Sequence, residues 1–156
     1  YQTLTGPGNI AVGSTFEVTP GQLPTATIDD VRKHDGVLID TRSSNRFAGR
    51  RENLDLKAGH IPGAVNIPER LFHNDGVRTL KSPDEIREVL AAAGLTQENT
   101  KDAIIYSGSG NHSALALAAM EDAGFTGLCH YIGGWSQWSA DPTNPVERGD
   151  RTSVND

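Results

Sequence analysis

The sequence holds one cysteine, Cys129, so no internal disulfide can form, and a reducing, cytoplasmic setting is expected. That cysteine sits in the apolar stretch GLCHYI. There it reads as a small hydrophobe in a buried strand. No apolar run approaches the length of a membrane span and nothing like a signal peptide opens the chain, so no membrane partner is expected. Positive charge is scarce too. Fourteen Lys and Arg face twenty Asp and Glu, a formal net charge of -6, and no basic face suited to nucleic acid is visible. The five histidines, at 34, 60, 73, 112 and 130, share no metal-ligand spacing with each other or with the cysteine. Neither a metal nor a cofactor is expected. The first residue is Tyr1 rather than Met, so a piece of a longer protein is expected, preceded by another domain or by a cleaved leader.

What is present suffices for one domain. A chain of 156 residues can bury a proper hydrophobic core. Residues 1–26 are rich in Gly, Pro and Thr without a sustained period, which is the chemistry of a linker or an extended arm. The domain proper is expected over 27–146. The polar chain from Asp141 on should be loose, with residues 147–156 as a tail.

Between these ends the pattern alternates. Thr27 caps a short helix in TATIDDVRK, with Asp30 as capping-box partner and Gly36 beyond its end. VLID (37–40) is a short apolar strand, SSNRFAGR a short helix, and GAVNIP (63–68) a second strand. SPDEIREVLAAAG is the clearest helix: Ser82 at the N-cap, Pro83 in the first position, Glu85 closing the box and Gly94 as stop. Ile86, Val89, Leu90 and Ala93 form its apolar face. DAIIY is a third strand, ALALAAMEDAG a helix, GLCHYI a fourth strand and GWSQW a final short helix or turn. Short apolar strands alternating with helices predict an α/β domain with a mainly parallel central sheet, flanked by helices on both faces.

Ligands of such sheets bind at the carboxyl ends of the strands. The strand IIY leads there into SGSGNHS (107–113) and then into the alanine-rich helix. Gly108 and Gly110 permit backbone angles that turn consecutive N–H groups inward as a nest. The helix start adds unpaired amides and a positive dipole end. Together these predict an anion site, with Ser109, Asn111, His112 and Ser113 as further hydrogen-bonding groups. A tight strand-to-helix turn without a ligand is the alternative. The loop is no nucleotide P-loop, since GxxxxGK[ST] is missing, and no nucleophile elbow, since GxSxG is missing. Nor does an acidic strand end follow it about twenty residues on, as a dinucleotide site would require. His112 is the base nearest to Ser107 in sequence, equally placed to cap the helix or face solvent.

Three stretches together resemble the rhodanese family of sulfurtransferases: VLIDTRSSNRFAGR, AGHIPGAVNIP, and IIYSGSGNHSALALAAMEDAGF with HYIGGWSQWSADPTNPV. Their order and spacing fit, over Thr25 to Val146. The resemblance is greatest to the C-terminal, catalytic domain of tandem thiosulfate or 3-mercaptopyruvate sulfurtransferases. It implies a rhodanese-like fold, an upstream second rhodanese-like domain, a small-molecule sulfur donor and a thiol or cyanide acceptor. In that family the loop opens with a cysteine that carries sulfur as a persulfide. Here that position is Ser107, which implies an inactive form, either engineered or naturally silent. A naturally non-catalytic module binding an anion or a partner protein is the alternative. Phosphatase-like relatives have a loop one residue longer with a terminal arginine, where this loop runs into Ser113 and Ala114.

The resemblance also implies roles for other residues. Arg46 would hold an anionic donor, with Arg50 and Arg51 as weaker candidates for a second donor-binding arginine. The neutral GSGNHS loop favours 3-mercaptopyruvate over the dianion thiosulfate, with Ser109 as a hydrogen-bond donor. Asp40 and Arg42 are expected to form an ion pair at the strand end near the pocket, and His60 to buttress the loop and strand. Trp135 and Trp138, three apart, share a helical face, with Trp135 lining the pocket mouth.

Overall fold

The structure, a computed structural model, describes residues 17, 19, 21–76 and 79–155. Four parallel strands form one sheet: β1 (Leu38–Asp40), β2 (Val65–Asn66), β3 (Ile104–Tyr106) and β4 (Cys129–Tyr131), in the order β2-β1-β3-β4. Asp40 stands level with Asn66 on one side and with Tyr106 on the other, and Tyr106 with Tyr131. The strands therefore end together, and the loops that follow them open at one edge.

Strand side chains alternate between two faces, and each face has its own core. Ile39 and Ile105 enter one, with Ile86 and Leu90 of helix α3 (Pro83–Ala92) and Ala116, Leu117 and Met120 of helix α4 (Asn111–Asp122). Leu38, Ile104 and Tyr106 enter the other. It is covered by helix α1 (Ile28–Lys33), the short helix α2 (Ser44–Phe47) and helix α5 (Gly134–Ala140). Helices on both faces follow from that division. Each fully buried Ile or Leu contributes roughly 1.5–3 kcal/mol.

The caps are those the composition predicts. Thr27 and Asp30 bond each other's backbone at the start of α1, and Ser82 and Glu85 do so at the start of α3. Gly94 takes φ +73 just past the end of α3, the left-handed stop that glycine accepts at little cost. Helix α4 begins at Asn111, ahead of its alanine run, because Gly110 at φ +86 serves as its N-cap. Strand β2 is shorter than GAVNIP because Gly63 turns at φ +80 and Pro68 has no N–H for the ladder.

Of the linker expected over residues 1–26, residues 1–16, 18 and 20 lie outside the described residues. Its end adds to the sheet edge: His130 N–H donates to the Pro24 carbonyl at 2.9 Å, and Ala26 N–H to the His130 carbonyl at 3.0 Å. The tail expected to be loose is not. His60 and Glu147 exchange backbone bonds at 2.9 and 3.0 Å, Asn66 N–H donates to the Arg151 carbonyl at 2.8 Å, and Val154 N–H to the Ala93 carbonyl at 3.0 Å. Polar side chains hid this because the attachment is made by backbone. The edge strand β2 and the end of α3 offer groups that must be satisfied.

Candidate functional site

The loop after β3 is held from within and from behind. Ser107 is buried, 2% exposed, and its Oγ accepts the Gly110 N–H at 3.1 Å. From behind, helix α5 clamps the loop carbonyls: Trp135 N–H donates to Ser107 O at 2.8 Å and Ser136 N–H to Gly108 O at 3.0 Å. This closeness explains the second glycine of GGWSQW, for a Cβ on Gly134 would lie 2.3 Å from Ser107 O. Among the described residues, the N–H groups of Gly108, Ser109, Asn111 and His112 have no protein acceptor. Unpaired amides beside the positive end of a twelve-residue helix favour an anion.

A cavity of about 310 Å³ opens over this loop, lined by Ser107, Gly108, Ser109, Asn111 and His112 and, from the β1 side, by Arg42, Ser43, Arg46 and Leu54. Arg46, on α2, reaches it with part of its guanidinium committed. Nε and Nη2 bind Glu52 at 3.1 to 3.3 Å, and Nη2 also binds Asp55 at 2.6 Å. Nη1 makes no such bond among the described residues and lies toward the loop, 3.4 Å from where a Cβ on Gly108 would stand. Burial pushes the Glu52 carboxyl up, but the Leu54 and Asp55 amides and Arg46 outweigh it and hold it below its ordinary value. Glu52 is therefore a fixed anion that aims the arginine.

Arg42 forms the floor. Its Nη2 donates to Asp40 at 2.6 Å and to the Gly59 carbonyl at 2.7 Å, and its backbone N–H donates to Asp40 at 2.8 Å. Burial opposes the charge, yet Asp40, with Tyr106 and Glu52, outweighs it and the Arg42 pKa is raised. The guanidinium lies 4.6 Å over the Trp135 ring, and Trp135 Nε1 donates to the Lys57 carbonyl at 3.0 Å. Trp135 is thus fully buried beneath Arg42, not at the pocket mouth where the sequence reading put it. An indole face under a cation suits a planar guanidinium.

The other expected residues separate. His60 is buried, stacked on Phe47 at 3.6 Å between ring centroids, with Nδ1 2.9 Å from the Phe47 carbonyl. Burial lowers its pKa. It supports α2 and lies outside the cavity lining. Arg50 is exposed and paired with Asp150 at 2.7 Å, away from the cavity. Arg51 lines a neighbouring groove with Asn53, which shares Ser43, Arg46 and Leu54 with the cavity. Ser113 is buried behind Ser107, their oxygens 3.1 Å apart, and Ser109, Asn111 and His112 are exposed at the rim. His112 makes no hydrogen bond to Ser107 among the described residues.

Glu52, Asp55 and His130 carry no signal in the sequence. The first two lie in a stretch without period, and His130 reaches the loop only because β4 is parallel to β3. Among the described residues no cluster of His, Cys, Asp and Glu could hold a metal, and no helix is long and apolar enough to cross a membrane. A larger cleft, about 670 Å³, is lined by Glu52, Asp55, Leu56, Lys57, Ala58, Val146 and Arg148. It contains no residue of the loop.

Residues 24–141 match the model of the rhodanese-like domain. SseB of Mycobacterium tuberculosis is 34% identical over 143 residues, 91% of this chain and 48% of the relative. A thiosulfate sulfurtransferase of Pseudomonas aeruginosa is 31% identical over 140 residues, 87% of this chain and 50% of the relative. The chain spans about half the length of these relatives. Among solved structures, the anaerobic ergothioneine biosynthesis enzyme from Chlorobium limicola superposes with a TM-score of 0.70 at 26% identity, over 80% of this chain and 32% of that one.

Proposed function

Because the chain belongs to the rhodanese family, we propose that it is the loop-bearing domain of a tandem sulfurtransferase, with Ser107 at the position of the sulfur-carrying residue. The observation that carries this reading is the placement of Ser107 Oγ on the Gly110 amide, at the floor of a cavity rimmed by unpaired N–H groups. An anionic donor lies across these amides with one end on Arg46 Nη1. In a cysteine form the thiolate attacks the sulfane sulfur of the donor. A new S–S bond forms, and sulfite, or pyruvate after taking up a proton, leaves with the electron pair. Cyanide or a thiolate then attacks the outer sulfur and regenerates the thiolate.

Serine cannot take this part. A thiol ionises at about 8.5 and a nest with a helix start lowers that further. A hydroxyl is far harder to ionise and forms no persulfide. Cys129 is no substitute, since burial pushes its thiol pKa up and it belongs to the core on the α1 side. The protein with Ser107 is accordingly inactive in sulfur transfer. Its neutral loop suits 3-mercaptopyruvate better than thiosulfate. An upstream domain completes the protein, in keeping with relatives twice as long, and the single cysteine suits the cytoplasm.

The test is a Ser107→Cys variant assayed for thiocyanate from cyanide with each donor. Turnover in the variant alone, better with 3-mercaptopyruvate, is expected. No turnover with either donor, from folded protein carrying its upstream domain, would sink the reading. It would favour a second one, a non-catalytic module that binds an anion or a partner protein, to which the commitment of Arg46 to Glu52 and Asp55 already lends weight.

A further inference from the structure

A chain of hydrogen bonds leads from Ser107 away from the cavity. Ser107 Oγ lies 3.1 Å from Ser113 Oγ, and Ser113 Oγ lies 2.8 Å from His130 Nε2. Ser113 is fully buried and His130 half-buried at the sheet edge. Ser113 Oγ also lies 3.0 Å from the Gly110 carbonyl. A serine has one proton to give, so these contacts compete. With His130 Nε2 unprotonated, Ser113 O–H donates to it and Ser107 O–H donates into Ser113 Oγ. An anion at position 107 reverses this: Ser113 turns its proton toward the anion, and His130 Nε2, once protonated, donates into Ser113 Oγ. The Gly110 carbonyl keeps the Ala114 N–H at 2.9 Å, so nothing buried is left unpaired by the switch.

We propose that His130, acting through Ser113, is a positioning residue that sets the ionisation of the nucleophile at loop position 107. The proposal rests on reading that position as the sulfur-carrying one. A proton leaves the atom at 107 for Ser113 Oγ while the Ser113 proton passes to His130 Nε2. One bond to hydrogen breaks at 107 and one forms at His130, with no change in electron count. The product is an imidazolium linked to an anion through one hydroxyl, which then presents its O–H to that anion.

The surroundings of His130 leave this coupling undisturbed. Helix α4 and its cap face it with the Ser113 hydroxyl and the Gly110 carbonyl. The segment beside β4 meets it with backbone at Pro24 and Ala26, and β3 with Ile105, its register partner. Burial lowers its pKa and the Gly110 carbonyl raises it, with burial prevailing. Among the described residues, no charged side chain contributes to that balance. The other imidazole of this turn, His112, lines the cavity beside Arg46. At neutral pH His130 is therefore an uncharged acceptor, ready for one proton.

The experiment titrates the thiol of a Ser107→Cys variant by its thiolate absorbance, with the Ser107 protein as the blank for Cys129. The same titration is run with His130→Phe, His130→Gln or Ser113→Ala added. The expected result is about a tenfold loss of thiolate at a fixed pH below the midpoint with His130→Phe and with Ser113→Ala. His130→Gln, which keeps an N–H donor, should restore part of it. Linkage also requires the His130 imidazole, followed by NMR, to titrate higher in the Ser107→Cys protein than in the Ser107 protein. An unchanged thiol titration in folded His130→Phe would overturn the proposal. So would an unmoved His130 titration, which remains readable even where His130→Phe fails to fold. Thiocyanate formation is not used, so the two readings fail separately: coupled titrations without sulfur transfer from either donor would sink the proposed activity and leave the relay standing.

Discussion

Gly134 approaches Ser107 so closely that a Cβ on it would lie 2.3 Å from the Ser107 carbonyl oxygen, and 2.7 Å from that of Gly108. Its φ of +54 adds to the demand for glycine. Gly134→Ala is expected to lower stability by about 1–3 kcal/mol from backbone strain, and further because helix α5 must move off the loop. Gly76→Ala separates the two effects, since Gly76 has φ +73 but nothing within 4 Å of a Cβ. Urea midpoints should fall more for Gly134→Ala than for Gly76→Ala. Equal losses would show that contact with the loop contributes nothing.

The buried pair Asp40–Arg42 gives a second prediction. Both side chains are almost wholly excluded from water, at 0% and 1% exposure. Removing one partner leaves a buried charge uncompensated, which costs about 3–5 kcal/mol. Arg42→Met alone should therefore be severely destabilised, and Asp40→Asn with Arg42→Met should recover much of the loss. Denaturant unfolding of the two proteins measures this. A double variant no more stable than the single would mean that Arg42 acts through Trp135 and Gly59 instead.

How much of this was legible in the sequence depends on the range of the signal. The capping boxes at Thr27 and Ser82 are local, so spacing alone reveals them. The loop at 107–113 is legible because its glycines and the following helix are contiguous. The Arg46–Glu52–Asp55 cluster is not, because its partners sit in a stretch with no period and are brought together by the turn after α2. His130 was unreadable for a different reason: side-chain direction on β4 depends on register against β3, which no local pattern fixes. The tail from Asp141 misled because composition describes side chains, while its attachment at Glu147, Arg151 and Val154 is made by backbone.

His60 predicts a pH dependence. Burial lowers its pKa below the ordinary value near 6.5, against the opposing hydrogen bond to Phe47 and the Glu147 charge. The unfolded chain thus binds a proton that the folded chain refuses. The stability contributed by neutral His60 is complete above about pH 6.5 and is lost as pH falls toward and through the folded value. Urea midpoints of His60→Gln should decline less steeply than those of the parent below pH 6.5. The difference in slope is bounded by about 1.4 kcal/mol per pH unit, the limit for one proton. Parallel slopes would mean that His60 binds its proton equally well folded and unfolded, the Phe47 carbonyl and the Glu147 charge at 3.8 Å cancelling the effect of burial.

Arg46 and Arg50 are four residues apart, and the structure gives them opposite surroundings. Arg46 lines the cavity with Nη1 toward the loop. Arg50 is exposed and engaged with Asp150 at 2.7 Å. A hydrogen bond to a charged group contributes about 1.5–3 kcal/mol, so loss of the arginine that meets the donor should cost roughly ten- to a hundredfold in kcat/KM. In a Ser107→Cys background, Arg46→Ala should show that loss and Arg50→Ala should leave kcat/KM unchanged, since exposed ion pairs contribute little. Glu52→Gln separates aiming from charge. If Glu52 aims the guanidinium, its neutralisation weakens the donor interaction although the cavity becomes more positive. If the charge of Arg46 alone matters, the same variant binds the donor more tightly.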